Sequence, residues 1–177
     1  MWRRRPDCMR CGTLLPEAMT AGFRILPVRT ADDLQATADL FAGYAASLPV
    51  DLGYQDFGGE LAALPGKYAP PAGELFLARD GDGAPLGCVG LRPLADDGCC
   101  EMKRLFLLPA ARGLGLGRAL TEAVVDQARA LGYRELRLDT LASMTAAQAL
   151  YGKMGFERIA PYYAPTPEGT VFMGLEL

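Results

Sequence analysis

Seven residues near the middle of the chain, Arg112-Gly-Leu-Gly-Leu-Gly-Arg118, limit the possible folds more than any other segment. They lie between an apolar run that predicts a strand and an apolar stripe that predicts a helix. Alternating glycines let the backbone approach a ligand closely and direct several N–H groups toward it. Because these N–H groups lie at the positive end of the helix dipole, with an arginine at either rim, the loop is predicted to bind an anion.

Two well-known phosphate-binding patterns do not fit this loop. The dinucleotide-binding fingerprint requires a glycine three residues after its second glycine, where this chain has Arg118 or Leu120. The NTPase loop ends in Gly-Lys-Ser/Thr, whereas Gly117 is followed by Arg and Ala. The spacing by itself leaves one structural alternative open, in which the glycines only allow a helix to pack tightly.

The pattern of elements predicts a mixed α/β domain. Thr30 and Asp33 suit a helix start, and the Asp-Gly pairs between 79 and 84 predict a tight turn between two antiparallel strands. The segment 47–73 is rich in Pro, Gly and Tyr and predicts only one short helix, at about 57–64. Further strands are expected at 23–28, 75–78, 86–91, 100–108, 135–140, 156–159 and 171–177, with helices from Leu34, at 115–131 and around 146–150.

Composition excludes several classes of function. A length of 177 residues with half of them hydrophobic is ordinary for one globular domain. The net charge of −3 offers no basic surface for nucleic acid. The apolar stretches are interrupted well before the ~20 residues that a bilayer requires, so no membrane-spanning segment is expected. We therefore predict a soluble, cytoplasmic protein.

The N-terminal residues 1–22 are interpreted as a flexible leader ahead of a single domain at 23–177. Cys8 and Cys11 are spaced like metal ligands or a redox pair, but a zinc site needs further ligands and the chain contains no histidine. We therefore expect no metal, and free cysteines in a reducing cytoplasm. The other cysteines fall in predicted strands, where buried thiols are common: Cys88, Cys99 and Cys100.

The residues around the glycine loop resemble the central motif of the GNAT superfamily of N-acetyltransferases. They are Cys100-Glu-Met-Lys-Arg-Leu-Phe-Leu107, then Pro109, then Arg112-x-x-Gly115-x-Gly117-Arg-Ala-Leu120. Downstream, Ala149-Leu-Tyr151 with Lys153-Met-Gly-Phe156 resembles the next motif of the family. The preceding helix and hairpin also fit the order of the family's elements, so the resemblance extends from about Phe23 to Leu177.

The resemblance implies a mixed, mostly antiparallel sheet of six to seven strands flanked by helices, whose strands 4 and 5 splay apart. The pantetheine arm of acetyl-CoA would lie in that gap, bonded by the strand backbone, and loop amides would hold the pyrophosphate with Arg112 at the mouth. The cofactor-binding residues so implied are Leu105, Phe106, Leu107, Arg112, Gly113, Leu114, Gly115, Leu116, Gly117 and Arg118.

Acyl transfer to an amine requires a neutral nucleophile, a polarised carbonyl and a proton for the departing thiolate. Tyr151 matches the family position whose phenol often gives that proton, and packing as a core aromatic is its alternative role. Since histidine is absent, the base would be a carboxylate or a water chain, unless the amine arrives deprotonated. Glu101 is the first choice for the base, with an ion-pair role as its alternative, and Asp139 is the rival.

The acceptor is less defined by the sequence. The resemblance implies a primary amine of a small molecule or peptide, and dimers are common in the family. Tyr162, Tyr163 and the segment 161–167 could line the acceptor pocket or form a packed lid. Met144 departs from the family pattern, in which Asn is frequent. A non-catalytic acyl-CoA-binding or regulatory domain of the same fold is the alternative function.

Overall fold

The computed structural model describes residues 22–177, which form one seven-stranded mixed sheet flanked by helices. The sheet order is β1-β2-β3-β4-β5-β7-β6, and neighbours are antiparallel except β4 and β5. The strands are β1 Phe23–Pro27, β2 Glu74–Asp80, β3 Pro85–Pro93, β4 Cys99–Leu107, β5 Glu135–Thr140, β6 Glu157–Arg158 and β7 Val171–Glu176. The helices are α1 Ala31–Ser47, α2 Phe57–Ala62, α3 Leu116–Ala130 and α4 Thr145–Lys153. The predicted fold class is confirmed.

Helix α1 begins where its capping residues predict. Thr30 lies in extended conformation, and its hydroxyl oxygen accepts a hydrogen bond from the Asp33 amide at 3.1 Å. The cap satisfies one of the amides that a helix start leaves without a partner. The predicted short helix in the segment 47–73 is also present, as α2.

Two hydrophobic cores lie on opposite faces of the sheet, because successive side chains of a strand point to opposite sides. Phe76 and Ala78 of β2 contribute to the larger core, which contains the buried face of α3. Leu75 and Leu77 of the same strand contribute to the smaller core with Phe41 of α1. The sheet is therefore covered by α1 on one face and by α3 on the other.

Strands β4 and β5 separate soon after they meet, as the sequence predicts. Their parallel pairing covers only Cys99–Glu101 against Glu135–Arg137. β4 continues to Leu107, so its edge from about Lys103 onward faces β5 without a strand partner. This unpaired edge positions the site.

Cys88, Cys99 and Cys100 are buried free thiols, as predicted. Cys8, Cys11 and the predicted leader lie outside the described residues, apart from Gly22. Between residues 22 and 177, none of the helices combines the length and the apolar character needed to cross a bilayer.

Candidate active site

A cavity of about 410 Å³ occupies the gap between β4 and β5. One wall is the unpaired edge of β4, from Met102 to Leu107, and the facing wall is the end of β5 with the start of α4. The remaining lining comes from the C-terminal half of α1 and the turn after it, and from Arg112 and Gly117 of the glycine loop. The structure thus brings six of the predicted site residues to one cavity, namely Leu105, Phe106, Leu107, Arg112, Gly117 and Tyr151, whereas Gly113 to Leu116 and Arg118 are not among its lining residues.

The glycine loop has the backbone shape that an anion site requires. Gly113 and Gly115 have φ values of 79° and 76°, in the left-handed region that L side chains rarely adopt. Gly115 precedes the first residue of α3, and no side chain caps this helix start. The first amides of α3 are therefore available to a ligand at the positive end of the helix.

The loop's arginines differ in their surroundings. Arg112 is exposed and lines the cavity. Arg118 lies in the first turn of α3, where its Nε contacts Glu122 Oε1 at 2.8 Å. Leu114, at the tip, is an exposed large apolar side chain, in contrast to Leu116, which is buried in the core.

A β-bulge interrupts β4 beside the cavity. The register of β3 with β4 shifts so that Arg104 and Leu105 lie opposite the single residue Val89. Arg104 has a φ of 59°, which is unusual for a residue with a side chain. The bulge re-aims the backbone of β4 at the point where the strand borders the cavity.

Tyr151, the predicted acid, lies on α4 and lines the cavity. Its ring packs against Phe156 with a centroid distance of 5.7 Å, so it also has the core-packing role that was its alternative. Burial, together with the nearby Tyr44 and Asp139, raises the pKa of its phenol. The hydroxyl is therefore protonated at neutral pH.

Glu101, the first choice for the base, is not among the cavity-lining residues. Its side chain is 1% exposed, and its carboxylate accepts hydrogen bonds from Arg92 Nε at 2.9 Å and Tyr162 Oη at 2.6 Å. Lys103 Nζ lies 3.4 Å from the same carboxylate. The structure therefore places Glu101 in the ion-paired arrangement that was its alternative role, behind the cavity wall.

Asp139, the rival, lines the cavity at the end of β5. One of its oxygens accepts a hydrogen bond from Lys103 Nζ, whose side chain is 5% exposed and also lines the cavity. Lys103 thus contacts both Asp139 of β5 and Glu101 of its own strand. A cavity-facing carboxylate and a buried ammonium lie side by side where the acceptor would approach.

The far wall of the cavity is formed by residues from the segment 47–73. The sequence predicts only one short helix in this segment and no site residue. The Arg104 guanidinium donates to both oxygens of Glu60, at 2.9 and 3.1 Å, and to Gln55 Oε1 at 2.8 Å. Gln55 Nε2 then donates to the hydroxyls of Tyr54 and Tyr163, both at 2.9 Å. This network joins the turn after α1 to the bulge of β4.

Only one feature of the sequence could have indicated this network. Lys103 and Arg104 lie within the strand motif 100–107 that precedes the glycine loop. Glu60 and Gln55 carry no local pattern, and their partners are 44 and 49 residues away. Burial raises the pKa of Glu60, but the Arg104 guanidinium lowers it more, so the pKa of Glu60 is below its ordinary value. Both partners of this pair are therefore charged at neutral pH.

Tyr162 and Tyr163 approach the site from the segment before β7. Tyr163 accepts a weak hydrogen bond from Lys103 Nζ at 3.3 Å, and Tyr162 binds Glu101. Both rings pack edge-on against Phe172, with centroid distances of 5.1 and 5.3 Å. They support the charged residues from behind, and neither is among the cavity-lining residues.

Met144 lies at the start of α4 and lines the cavity. The helix begins without a side-chain cap, and the Thr140 hydroxyl contacts Met144 Sδ at 3.5 Å. Met144 therefore offers no capping group to this helix start and adds apolar surface to the cavity.

Comparisons with known proteins agree with this geometry. The family model described as "Acetyltransferase (GNAT) family" matches residues 41–156. An uncharacterised N-acetyltransferase of Schizosaccharomyces pombe is 39% identical over 157 residues, covering 89% of this chain and 96% of the relative. An uncharacterised N-acetyltransferase of Escherichia coli is 34% identical over 114 residues, covering 63% of this chain and 68% of the relative.

The fold is also similar to that of a solved structure. The crystal structure of a GNAT-family acetyltransferase from Staphylococcus aureus superposes with a TM-score of 0.72 at 19% identity, covering 87% of this chain and 98% of that one. At this identity the superposition supports the fold alone. With the matched family model and the S. pombe relative, it leads to one conclusion: the chain belongs to the GNAT family of acetyltransferases.

Proposed function

We propose that the protein transfers an acetyl group from acetyl-CoA directly to a primary amine of a small molecule or peptide. The observation that supports this most strongly is the single cavity that joins the unpaired edge of β4, the uncapped start of α3 and a buried tyrosine. A donor with a long arm and an anionic end fits this combination. A domain that only bound acyl-CoA would not require the tyrosine.

The donor would lie along β4. The backbone of Leu105, Phe106 and Leu107 would bond the pantetheine arm as an added strand does, since this edge has no partner on the β5 side. The amides from Gly113 to Arg118 would hold the pyrophosphate at the helix start. Arg112, exposed at the mouth, adds a positive charge there.

Tyr151 would protonate the departing thiolate. Because burial raises the pKa of its phenol, Tyr151 holds its proton at neutral pH and can donate it to the sulfur while the C–S bond breaks. The collapse of the tetrahedral intermediate breaks the C–S bond, and the phenolic proton moves to sulfur. The resulting phenolate then recovers a proton from solvent through the cavity.

Asp139 is better placed than Glu101 to accept the amine proton, since it lines the cavity. Its remaining oxygen would take the proton directly or through one water molecule. Glu101 would act behind it by holding Lys103. The assignment of Glu101 as the base stays a prediction.

A Tyr151→Phe variant tests the proposed function. We expect kcat to fall by at least about 100-fold, the usual contribution of a positioned acid, while the Kd for acetyl-CoA is nearly unchanged. Release of free thiol from acetyl-CoA with a panel of amines provides the readout for kcat, and calorimetry provides the Kd.

Tyr133→Phe is the matched control, because the Tyr133 hydroxyl donates to the Ala72 carbonyl and does not line the cavity. Unchanged turnover in Tyr151→Phe would remove this residue from the mechanism. Tight acetyl-CoA binding by the wild-type protein with no thiol release from any amine would favour the non-catalytic alternative.

A further inference from the structure

We propose that the acceptor is a primary amine on a small, uncharged and largely apolar body, and that a carboxylate or phosphate next to the amine makes a compound a poor acceptor. This inference rests on the proposed function and names the class of its acceptor. It follows from the charges on one part of the cavity, here called the acceptor wall: Tyr44, Leu48, Leu52, Tyr54, Gln55, Lys103, Arg104 and Asp139.

The charged part of the acceptor wall, which is Lys103, Arg104 and Asp139, lies at the end of the cavity away from the glycine loop. From Lys103 to Leu107 the strand advances by roughly 13 Å, at about 3.3 Å for each residue. Arg112 and Gly117 line the Leu107 end, so a donor whose pyrophosphate is bound there extends toward Lys103. The amine would meet the thioester beside the acceptor wall.

Each cation on the acceptor wall already has a carboxylate partner. The Arg104 side chain is 1% exposed, and Glu60 takes it with both oxygens. Lys103 lies between Asp139 and Glu101. Within residues 22–177, the only other cation that lines the cavity is Arg112, at the opposite end.

The rest of the charged network is balanced as well. Arg92 contacts Glu101 at 2.8 Å and Glu60 at 3.4 Å, so three cations face three carboxylates. The members of this network are Arg92, Lys103, Arg104, Glu60, Glu101 and Asp139. An anion arriving at the acceptor wall would find no unpaired positive charge among them.

The groups that remain on the acceptor wall suit N–H donors and apolar surface. Lys103 engages Oδ1 of Asp139 and the Tyr163 hydroxyl lies beside this carboxylate, whose lone pairs can accept a further bond from an amine. The Tyr54 hydroxyl accepts from Gln55 and keeps its own hydrogen to donate. Leu48 and Leu52, with the ring of Tyr44, supply the apolar surface.

A carboxylate in this position would be buried beside Asp139 with no cation to pair it, and an unpaired buried charge is strongly unfavourable. The acceptor is also limited in size. The thioester end of the donor must share the cavity of about 410 Å³ with the buried part of the acceptor.

The test compares three acceptors that share a phenyl body: phenethylamine, phenylalanine and phenylalanine amide. Phenethylamine and phenylalanine amide carry no carboxylate. We expect kcat/KM for each of them to exceed that of phenylalanine by at least about tenfold. Phenethylamine is more basic than phenylalanine and the amide is less basic, so a preference shared by both does not arise from amine basicity. Equal or higher kcat/KM for phenylalanine overturns the inference.

Binding of the same three compounds to the CoA-loaded protein, measured by calorimetry, separates this inference from the proposed function. If neither these compounds nor the wider panel of amines releases thiol, the proposed function fails, while the order of the three Kd values still decides the inference. The inference is contradicted if phenylalanine binds as tightly as phenethylamine. It is also contradicted if neither phenethylamine nor phenylalanine amide binds at millimolar concentration.

An Asp139→Asn variant tests whether the pairing of Lys103 with Asp139 is the cause of the preference for acceptors without a carboxylate. It leaves Lys103 with Glu101 alone, so Lys103 can receive a carboxylate, and the preference for phenethylamine over phenylalanine should shrink several-fold. Because the ratio is measured within one variant, a general loss of turnover cancels. Asp126→Asn, an exposed change of the same charge on α3, should keep the wild-type ratio. An unchanged ratio in Asp139→Asn contradicts the inference.

Discussion

The two ends of the cavity are made from different parts of the chain. The end proposed to bind the donor is lined by Leu105 to Leu107 of β4 and by Arg112 and Gly117, which belong to one continuous stretch of the chain. The acceptor wall consists of side chains from α1, the turn after it, β4 and β5. The donor end therefore depends on local backbone shape, and the acceptor wall on long-range ion pairs.

This difference suggests which features a family can keep and which it can change. A backbone site needs only glycine at a few positions and a helix start, whatever the surrounding side chains are. A side-chain wall can be rebuilt by a few substitutions without loss of the fold. The following substitutions test the comparison, from the largest expected effect to the smallest.

Gly115→Glu should abolish donor binding. The Gly115 φ of 76° strains any side chain, and the new carboxylate would face the pyrophosphate in the space beside the loop. We expect the Kd for CoA to rise by at least about 100-fold because like charges oppose each other at the helix start. Calorimetry measures the Kd, and circular dichroism checks the fold.

Gly83→Glu is the matched control. Gly83 has a φ of 89° with open space beside it, in the turn between β2 and β3, so it carries the same strain and charge away from the cavity. Weaker CoA binding in both variants would show that strain, and not the anion site, explains the loss.

Glu60→Gln should destabilise the acceptor wall. It removes the partner of a guanidinium that is buried beside the bulge, and breaking such a pair costs about 3 kcal/mol in the free energy of unfolding. Urea denaturation at pH 7 measures this change. Glu122→Gln, in the exposed pair with Arg118, should change the same quantity by less than about 0.5 kcal/mol.

The same pair predicts a pH dependence. Since the pKa of Glu60 is lower in the folded protein than in the unfolded chain, the pair stabilises the fold above the unfolded pKa of about 4.3. That stability is lost as the pH falls through the lower, folded pKa. Glu60→Gln should therefore lose less stability than the wild type between pH 6 and pH 3. Parallel losses in the two proteins would disprove this role for Glu60.

Apart from the control variants, the smallest effect is expected from Arg112→Gln, after Gly115→Glu and Glu60→Gln. Arg112 is exposed at the mouth, so its charge acts through solvent, and we expect the Kd for CoA to rise about fivefold at low salt. Arg118→Gln should raise it by about twofold, because Glu122 already neutralises that side chain. Both differences should decrease at high salt. A larger effect at Arg118 would reverse this order.

Much of the donor end could be predicted from the sequence because its signals are local. The glycine loop concerns residues within a few positions of each other, and outside the donor end the same holds for the helix cap at Thr30 and the Asp-Gly turn. Their backbone hydrogen bonds and φ values depend mainly on those neighbours. The separation of β4 from β5 was predicted only through the family resemblance.

The acceptor wall could not be predicted in the same way. Nothing near Glu60 indicates that Arg104 will bind it, and the preference for Glu101 over Asp139 as the base ignored which carboxylate would line the cavity. Gln55 and Tyr163, which are hydrogen-bonded, lie 108 residues apart. Their contact exists only because the fold brings both segments to β4, where Arg104 binds Gln55 and Lys103 binds Tyr163.

By itself, the sequence determined the order of strands and helices and the position of the glycine loop at a helix start, and the resemblance of its motifs indicated the family. The tertiary structure alone decided that Arg104 takes a left-handed conformation, that Glu101 lies behind the wall and that the cations near the acceptor are paired. The physical reason is the range of the interactions. Backbone conformation depends on neighbouring residues, whereas ion pairs between distant segments depend on how the whole sheet brings those segments together.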